Sequence, residues 1–339
     1  MLGALFVRPW SRSRYSFSDL AAWYNSAIGK EVIWVRAKQL QGILLASIGA
    51  ILWGVSGPIA QWLFTTRHMS LIWLIESKML LSGLILLLVA ALLPKERRRL
   101  FALWHSWRSI LALVVFTVCG MGAMQFVYYK AVAVGNAATA TILQFLSPVF
   151  IVLYTMLRER TAPRRADLIA VIVALLGTFL LVTGGQPTHL AISPAAFFWG
   201  VATGMAAAAY VLLPIHLLAQ YGAIAISGWA MTLGGILFNL IRPGWHQIPQ
   251  LDPLGNLGYW FIVIPGTVIA YSLYLASLDY ISATAVGLLD AFEPLAATIL
   301  SVLYLNVHFG WVELIGTLLI LSTVFILALA RPQSVASSV

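Results

Sequence analysis

Two carboxylates three residues apart, Asp290 and Glu293, stand inside the otherwise apolar stretch AVGLLDAFEPLAATIL, with Pro294 directly behind them. On a helix that spacing places both on one face. Helix rise puts Asp290 roughly 10 Å from the nearer end of its segment. An ionised carboxylate so deep in an apolar environment costs several kcal/mol, so intramembrane acids usually face a cavity, pair, or take up a proton. Asp290 and Glu293 are therefore candidates for carrying a proton or for binding a cationic solute group. The structural alternative is a fixed hydrogen bond, or a side chain reaching for the nearer interface. A related pattern stands at Gln144 and Pro148, which repeats the four-residue spacing of Asp290 and Pro294. A proline has no N–H, and its ring presses on the carbonyl four residues earlier, which frees the carbonyls of Gln144 and Asp290. Pro148 and Pro294 read as paired kinks that flex as gates, against the alternative of static bends.

Other groups offer less. Glu76 and Lys78 are two residues apart and point in different directions on a helix, so each needs another partner. A structural Glu76–Lys130 ion pair is predicted, with a solute site as its rival. There is no GxxxxGK[ST] loop for nucleotide-driven work. The six histidines are scattered without HExxH or paired spacing, and Cys119 is the single cysteine. Neither a metal site nor a disulfide is predicted, and no cofactor.

The elements that must position these residues are membrane helices. Hydrophobic residues make up 61% of the chain and charged ones 9%; the mean hydropathy is +0.93. A span needs about 20 apolar residues, and ten such runs are read: 40–63, 70–93, 109–130, 136–157, 164–183, 194–218, 222–241, 257–279, 283–304 and 310–330. The connections leave no room for a soluble catalytic domain. Arg97, Arg98, Arg99, Arg158, Arg160 and Arg165 gather with the N-terminal basic residues on one side, while Arg67 and Arg242 fall on the other. The positive-inside rule then makes both termini cytoplasmic in a multi-pass inner membrane protein. The net charge of +9 is a topology signal that favours anionic lipids. It does not point to nucleic acid, since the charges lie on short loops without a folded platform.

Shifted by 146 residues the chain matches itself: Gly120, Tyr128, Pro148 and Phe179 fall on Gly266, Tyr274, Pro294 and Phe325. The domains read as an interfacial cytoplasmic segment at 1–38, a first repeat at 39–186, a second at 187–331 and a disordered tail at 332–339. For residues 1–38, a disordered tail or a misplaced start codon is the alternative reading. Five spans per repeat is odd, so the second repeat enters the membrane inverted. The fold class expected is all-α, ten transmembrane helices as two inverted five-helix repeats. A doubled membrane domain of this kind points to a carrier with its site near the midplane.

The segments Gln125–Glu159 and Tyr271–Asn306 share a tyrosine-bearing helix end, a small-residue turn, a helix of small and apolar residues and a mid-helix proline. This grammar resembles the EamA repeat, and with Trp53-Gly54 in the first span the chain resembles EamA-type members of the drug/metabolite transporter superfamily over about residues 40–330. The resemblance implies export of a small organic metabolite, amino acid-like or drug-like, and proton antiport. It also implies a central cavity flanked by Trp53, Tyr128, Gln144, Tyr210 and Tyr274 together with the two acids. Trp199-Gly200 matches Trp53-Gly54 at the 146 offset, but Tyr210 suits the depth of Trp53 better. Asn306 departs from the pattern, standing where an acidic residue is usual. The rival readings are an uptake or exchange carrier, a non-transporting sensor and a membrane-embedded enzyme. Substrate identity and oligomeric state are not readable from these residues.

Overall fold

The computed structural model describes residues 17–160, 165–186, 191–241, 243 and 248–330. The tail at 332–339 and the first 16 residues of the N-terminal segment lie outside them. Every regular element among the described residues is helical. Ten helices are long and apolar enough to cross a membrane: span 1 Lys38–Thr66, span 2 Leu71–Leu92, span 3 Trp107–Val134, span 4 Ala137–Arg158, span 5 Arg165–Thr183, span 6 Pro194–Leu212, span 7 Ala223–Ile241, span 8 Pro253–Ser277, span 9 Ala285–Leu305 and span 10 Trp311–Leu329.

Local chemistry sets their ends. Ser70, Asn136, Ser193, Asp252 and Ser282 each accept a backbone N–H at a helix start through the side chain, satisfying donors that a helix terminus leaves unpaired. Proline occupies the first turn after Ser193 and Asp252, where its missing N–H costs nothing. Arg160 and Asn306 end spans 4 and 9 in the left-handed region, at φ 52° and 53°. The two positions are duplicates of one another, and Asn tolerates that conformation well, which gives Asn306 a backbone reason to stand where an acid was expected.

Several boundaries differ from the sequence reading, span 3 among them, which runs to Val134 rather than 130. Span 6 stops at Leu212 rather than 218, because Pro214 interrupts it and a short helix, Ile215–Tyr221, follows; the ring opposes the carbonyl of Tyr210. Span 8 starts four residues early, at the Asp252 cap. The helix that contains span 1 begins already at Phe17 and runs for 50 residues.

Duplicated helices pack on their counterparts: span 2 lies along span 7, span 5 along span 10, and span 4 meets span 9. Span 1 packs on spans 8 and 9 as span 6 packs on spans 3 and 4. The largest buried cluster joins spans 1, 2, 3, 7 and 8 through Leu63, Leu74, Met79, Phe116, Met231 and Ile262. Small residues permit the close crossings. A Cβ on Gly54 would strike the carbonyl oxygen of Glu293, so span 1 lies against the polar part of span 9.

Candidate functional site

Spans 4 and 9 are both broken. Span 4 consists of Ala137–Gln144 and Ser147–Glu159; span 9 consists of Ala283–Leu289 and Phe292–Leu305. Pro148 and Pro294 thus lie in the first turn of each second half-helix, and the residues four places before them sit at the break. The kinks expected from sequence are two-residue breaks, Phe145–Leu146 and Asp290–Ala291, at which the backbone tightens to three-residue hydrogen bonds. At the second break the Asp290 carbonyl accepts from the Glu293 N–H at 2.9 Å, a three-residue bond that replaces the one Pro294 cannot make.

The two breaks meet. Gln144 Nε2 donates to Glu293 Oε1 at 3.3 Å, linking the halves of the chain through residues that the sequence singled out separately. Asp290 Oδ2 accepts from the Tyr274 hydroxyl at 3.0 Å. Its Oδ1 is buried without a hydrogen-bond partner, and such an atom in a native fold calls for a ligand, a water or a proton. Trp53 packs its ring 5.1 Å from Tyr271 and 5.0 Å from Tyr274. Tyr210 and Tyr271 share a hydroxyl–hydroxyl bond of 2.5 Å. Tyr210 thus reaches Tyr271, which also packs on Trp53, while Trp199 packs on Phe126 and Phe198. Tyr128 bonds Thr141 at 3.1 Å.

A cavity of about 90 Å³ is lined in part by Trp53, Lys78, Gln125, Tyr128, Gln144, Tyr271 and Glu293, whereas Tyr210, Tyr274 and Asp290, expected around it, do not line it. Lys78, Gln125 and Tyr271 were not among the site residues expected from sequence. Lys78 Nζ donates to Gln125 Oε1 at 2.8 Å and to the Tyr129 hydroxyl at 3.0 Å. A four-residue spacing of polar groups, Gln125 and Tyr129, was the available signal, since it marks one polar face of span 3. Glu76 is buried on span 2 at 1% exposure, and Lys130 is half-buried on span 3.

Sequence reasoning also missed a π-helical turn in span 3, Phe116–Gly122, and another in span 8, Ile264–Ile269. The duplicated Gly120 and Gly266 fall within them. Turns of this kind are rare and concentrate at functional sites. Each precedes the tyrosine-bearing stretch that reaches the cavity, so the irregularity shifts those side chains in register in both halves. A second cavity of about 270 Å³ lies beside Pro148, Asp167, Ala283 and Gly287, at the ends of spans 4, 5, 9 and 10. It adjoins both broken helices.

Comparison with known proteins agrees with this architecture. The inner membrane transporter YicL of Salmonella typhimurium is 38% identical over 291 residues, which cover 85% of this chain and 95% of YicL. The threonine/homoserine exporter RhtA of Escherichia coli is 25% identical over 218 residues, covering 61% of this chain and 69% of RhtA. One solved crystal structure superposes with a TM-score of 0.57 at 17% identity, over 88% of this chain and 99% of that one; at that identity the likeness concerns the fold alone. The EamA-like transporter family matches residues 40–183 and again 194–329, five spans in each match, and the chain therefore belongs to that family.

Proposed function

We propose that this chain is a secondary carrier of the inner membrane that exports a small organic metabolite by alternating access, coupled to protons through Asp290 or Glu293. The observation that carries the proposal is the Gln144–Glu293 bond, which joins the broken points of two duplicated helices beside a polar cavity. Broken helices at the contact of two repeats are how carriers of this kind build a central site.

Five spans per half make the repeats inverted in this reading, and the packing of each helix on its counterpart supports that relation. The two halves can then exchange shapes about the fixed contact, with Pro148 and Pro294 as the gating positions. Both termini face the cytoplasm, the basic loops meet anionic lipid, and Glu76 pairs with Lys130 to brace spans 2 and 3. For coupling, Asp290 offers a buried oxygen without a hydrogen-bond partner, three residues from a second acid on the same helix. Only a species that neutralises them makes both acids inexpensive in the bilayer. Outward movement is proposed from the likeness to the threonine/homoserine exporter RhtA.

The test is flux in proteoliposomes holding the purified protein, with a pool of labelled amino acids and small metabolites, with and without an inside-acid gradient. Gradient-dependent accumulation of at least one compound is the expected result. Absence of flux for every compound would overturn the reading.

A further inference from the structure

A cavity of about 420 Å³ lies between spans 1, 8 and 9, lined in part by Pro58, Trp62, Leu257, Phe261, Leu300 and Tyr304. It shares no lining residue with the central cavity. Leu257 and Tyr304 are 66% and 75% exposed, so it opens sideways, to the bilayer. No charged side chain of the described residues lines it, and its size falls in the range of about 300–1,000 Å³ in which one organic molecule or chain is held. At its mouth stands an ion pair. Arg67 lies 4.8 Å over the Trp62 ring, and Asp252 caps the helix that contributes Leu257. The two side chains remain 29% and 43% exposed. A guanidinium carries five N–H donors, and Arg67 uses two on Asp252, which leaves others to be directed outward. Nor does the helix start require a carboxylate, because Ser106, at the duplicated position 146 residues earlier, caps span 3 with a neutral hydroxyl.

We propose that this cavity holds an acyl chain of one phospholipid, whose phosphate bonds Arg67 and whose primary ammonium bonds Asp252. Apolar lining alone selects nothing, since lipid tails are as apolar as the side chains around them and are held only by van der Waals contact. Selection falls to the ion pair. A guanidinium meets phosphate oxygens with paired N–H groups. The carboxylate accepts from a primary ammonium, whereas a quaternary ammonium has no N–H to offer. A headgroup with a phosphate and no cation would leave Asp252 facing like charge, which rejects a wrong partner. The site therefore fits phosphatidylethanolamine better than phosphatidylcholine or phosphatidylglycerol. Trp62 and Tyr304 lie near the ends of their spans, the depth at which aromatic rings sit among headgroups. The basic run Arg97–Arg99 follows span 2 and so lies at the opposite face of the membrane, where charge alone favours anionic lipid. The two faces thus make different choices. Such a site requires only that the spans sit in a bilayer, whatever the chain transports.

The experiment reconstitutes the full chain with equal amounts of phosphatidylethanolamine, phosphatidylcholine and phosphatidylglycerol of identical acyl chains. The protein is then extracted in mild detergent, and the lipid it retains is measured by mass spectrometry. Leu257→Trp and, independently, Leu300→Trp fill the cavity, so the lipid that either variant releases is the lipid of this site. That portion is expected to be phosphatidylethanolamine, about tenfold over each of the other two, the difference made by one charge-assisted hydrogen bond. In Asp252→Asn, which keeps the helix cap, the preference over phosphatidylcholine disappears and phosphatidylglycerol gains, because Arg67 is no longer neutralised. The measurement on the cavity-filling variants stands even if Asp252→Asn does not fold. Equal release of the three lipids overturns the proposal, and so does release of phosphatidylglycerol alone. A preference for phosphatidylethanolamine that survives in Asp252→Asn overturns it as well. Release of no lipid by either cavity-filling variant would leave the cavity to unselected bilayer lipid and overturns it too.

Discussion

Tyr128 and Tyr274 occupy the same place in the two halves, 146 residues apart, each beyond a π-helical turn and each pointing at a broken helix. Tyr128 meets the neutral hydroxyl of Thr141, whereas Tyr274 meets the carboxylate of Asp290. The contrast extends along both helices. Gln144 in the first half matches Asp290 in the second, and Ser147 matches Glu293. One scaffold has thus been built twice, with carboxylates at only one of its two helix breaks. In the proposed cycle the scaffold supplies the symmetry that rocking needs, and this difference assigns the proposed proton chemistry to span 9.

The comparison can be broken most severely at the paired Trp-Gly steps. A Cβ on Gly54 meets backbone, the carbonyl of Glu293, whereas a Cβ on Gly200 meets the end of the Leu143 side chain. Backbone cannot step aside and a leucine can, so Gly54→Val should lower stability by about 3 kcal/mol, and Gly200→Ala by well under half of that. Thermal unfolding of the two purified variants in detergent measures the difference. The tyrosines come next. Tyr274→Phe removes the bond to Asp290 and leaves a buried carboxyl with both oxygens unpaired, at a cost of about 2 kcal/mol, while Tyr128→Phe loses a hydroxyl–hydroxyl bond worth about 1 kcal/mol. The same melts, with flux on the surviving protein, rank them.

A smaller effect is expected at the prolines. Replacing Pro148 with Ala restores an N–H that can close the break at Gln144, slowing flux several-fold. Pro294→Ala should slow it less, because the Asp290 carbonyl is already satisfied by the Glu293 N–H. The smallest concerns the loop end of span 8. Arg67 bonds both oxygens of Asp252, at 2.8 and 2.9 Å, and those bonds hold the carboxyl below the ordinary carboxylate range. A carboxyl lowered in the folded state contributes in full above its unfolded value and loses that contribution as the pH falls through the lowered one. Asp252→Asn keeps the helix cap but gives up the charged pair with Arg67, so it should remove the acid-side dependence from the melting curve, lower the melting temperature slightly at neutral pH, and match the unaltered protein below the lowered value.

Hydropathy made the ten spans legible, because a bilayer demands about 20 apolar residues per crossing. The helix breaks were legible too, since proline acts on the carbonyl four residues earlier whatever surrounds it. The π-helical turns were not: Gly120 and the Pro265-Gly266 pair mark weak points in spans 3 and 8, but a proline or glycine signals an irregularity without saying whether it is a kink or a wider turn. The place of Lys78 was hidden for a similar reason. Its acceptors, Gln125 and Tyr129, are 47 and 51 residues away in the chain, and local spacing cannot show which helix face turns toward span 2.

The claim that the duplicated halves share a scaffold and divide the chemistry is tested most directly by gradient-driven flux in proteoliposomes for the double variant Asp290→Asn with Glu293→Gln and for Gln144→Ala, side by side. The account predicts that the double variant no longer responds to an imposed pH gradient, and that Gln144→Ala is slower yet still responds. Retention of the wild-type response by the double variant, with its loss in Gln144→Ala, would contradict it.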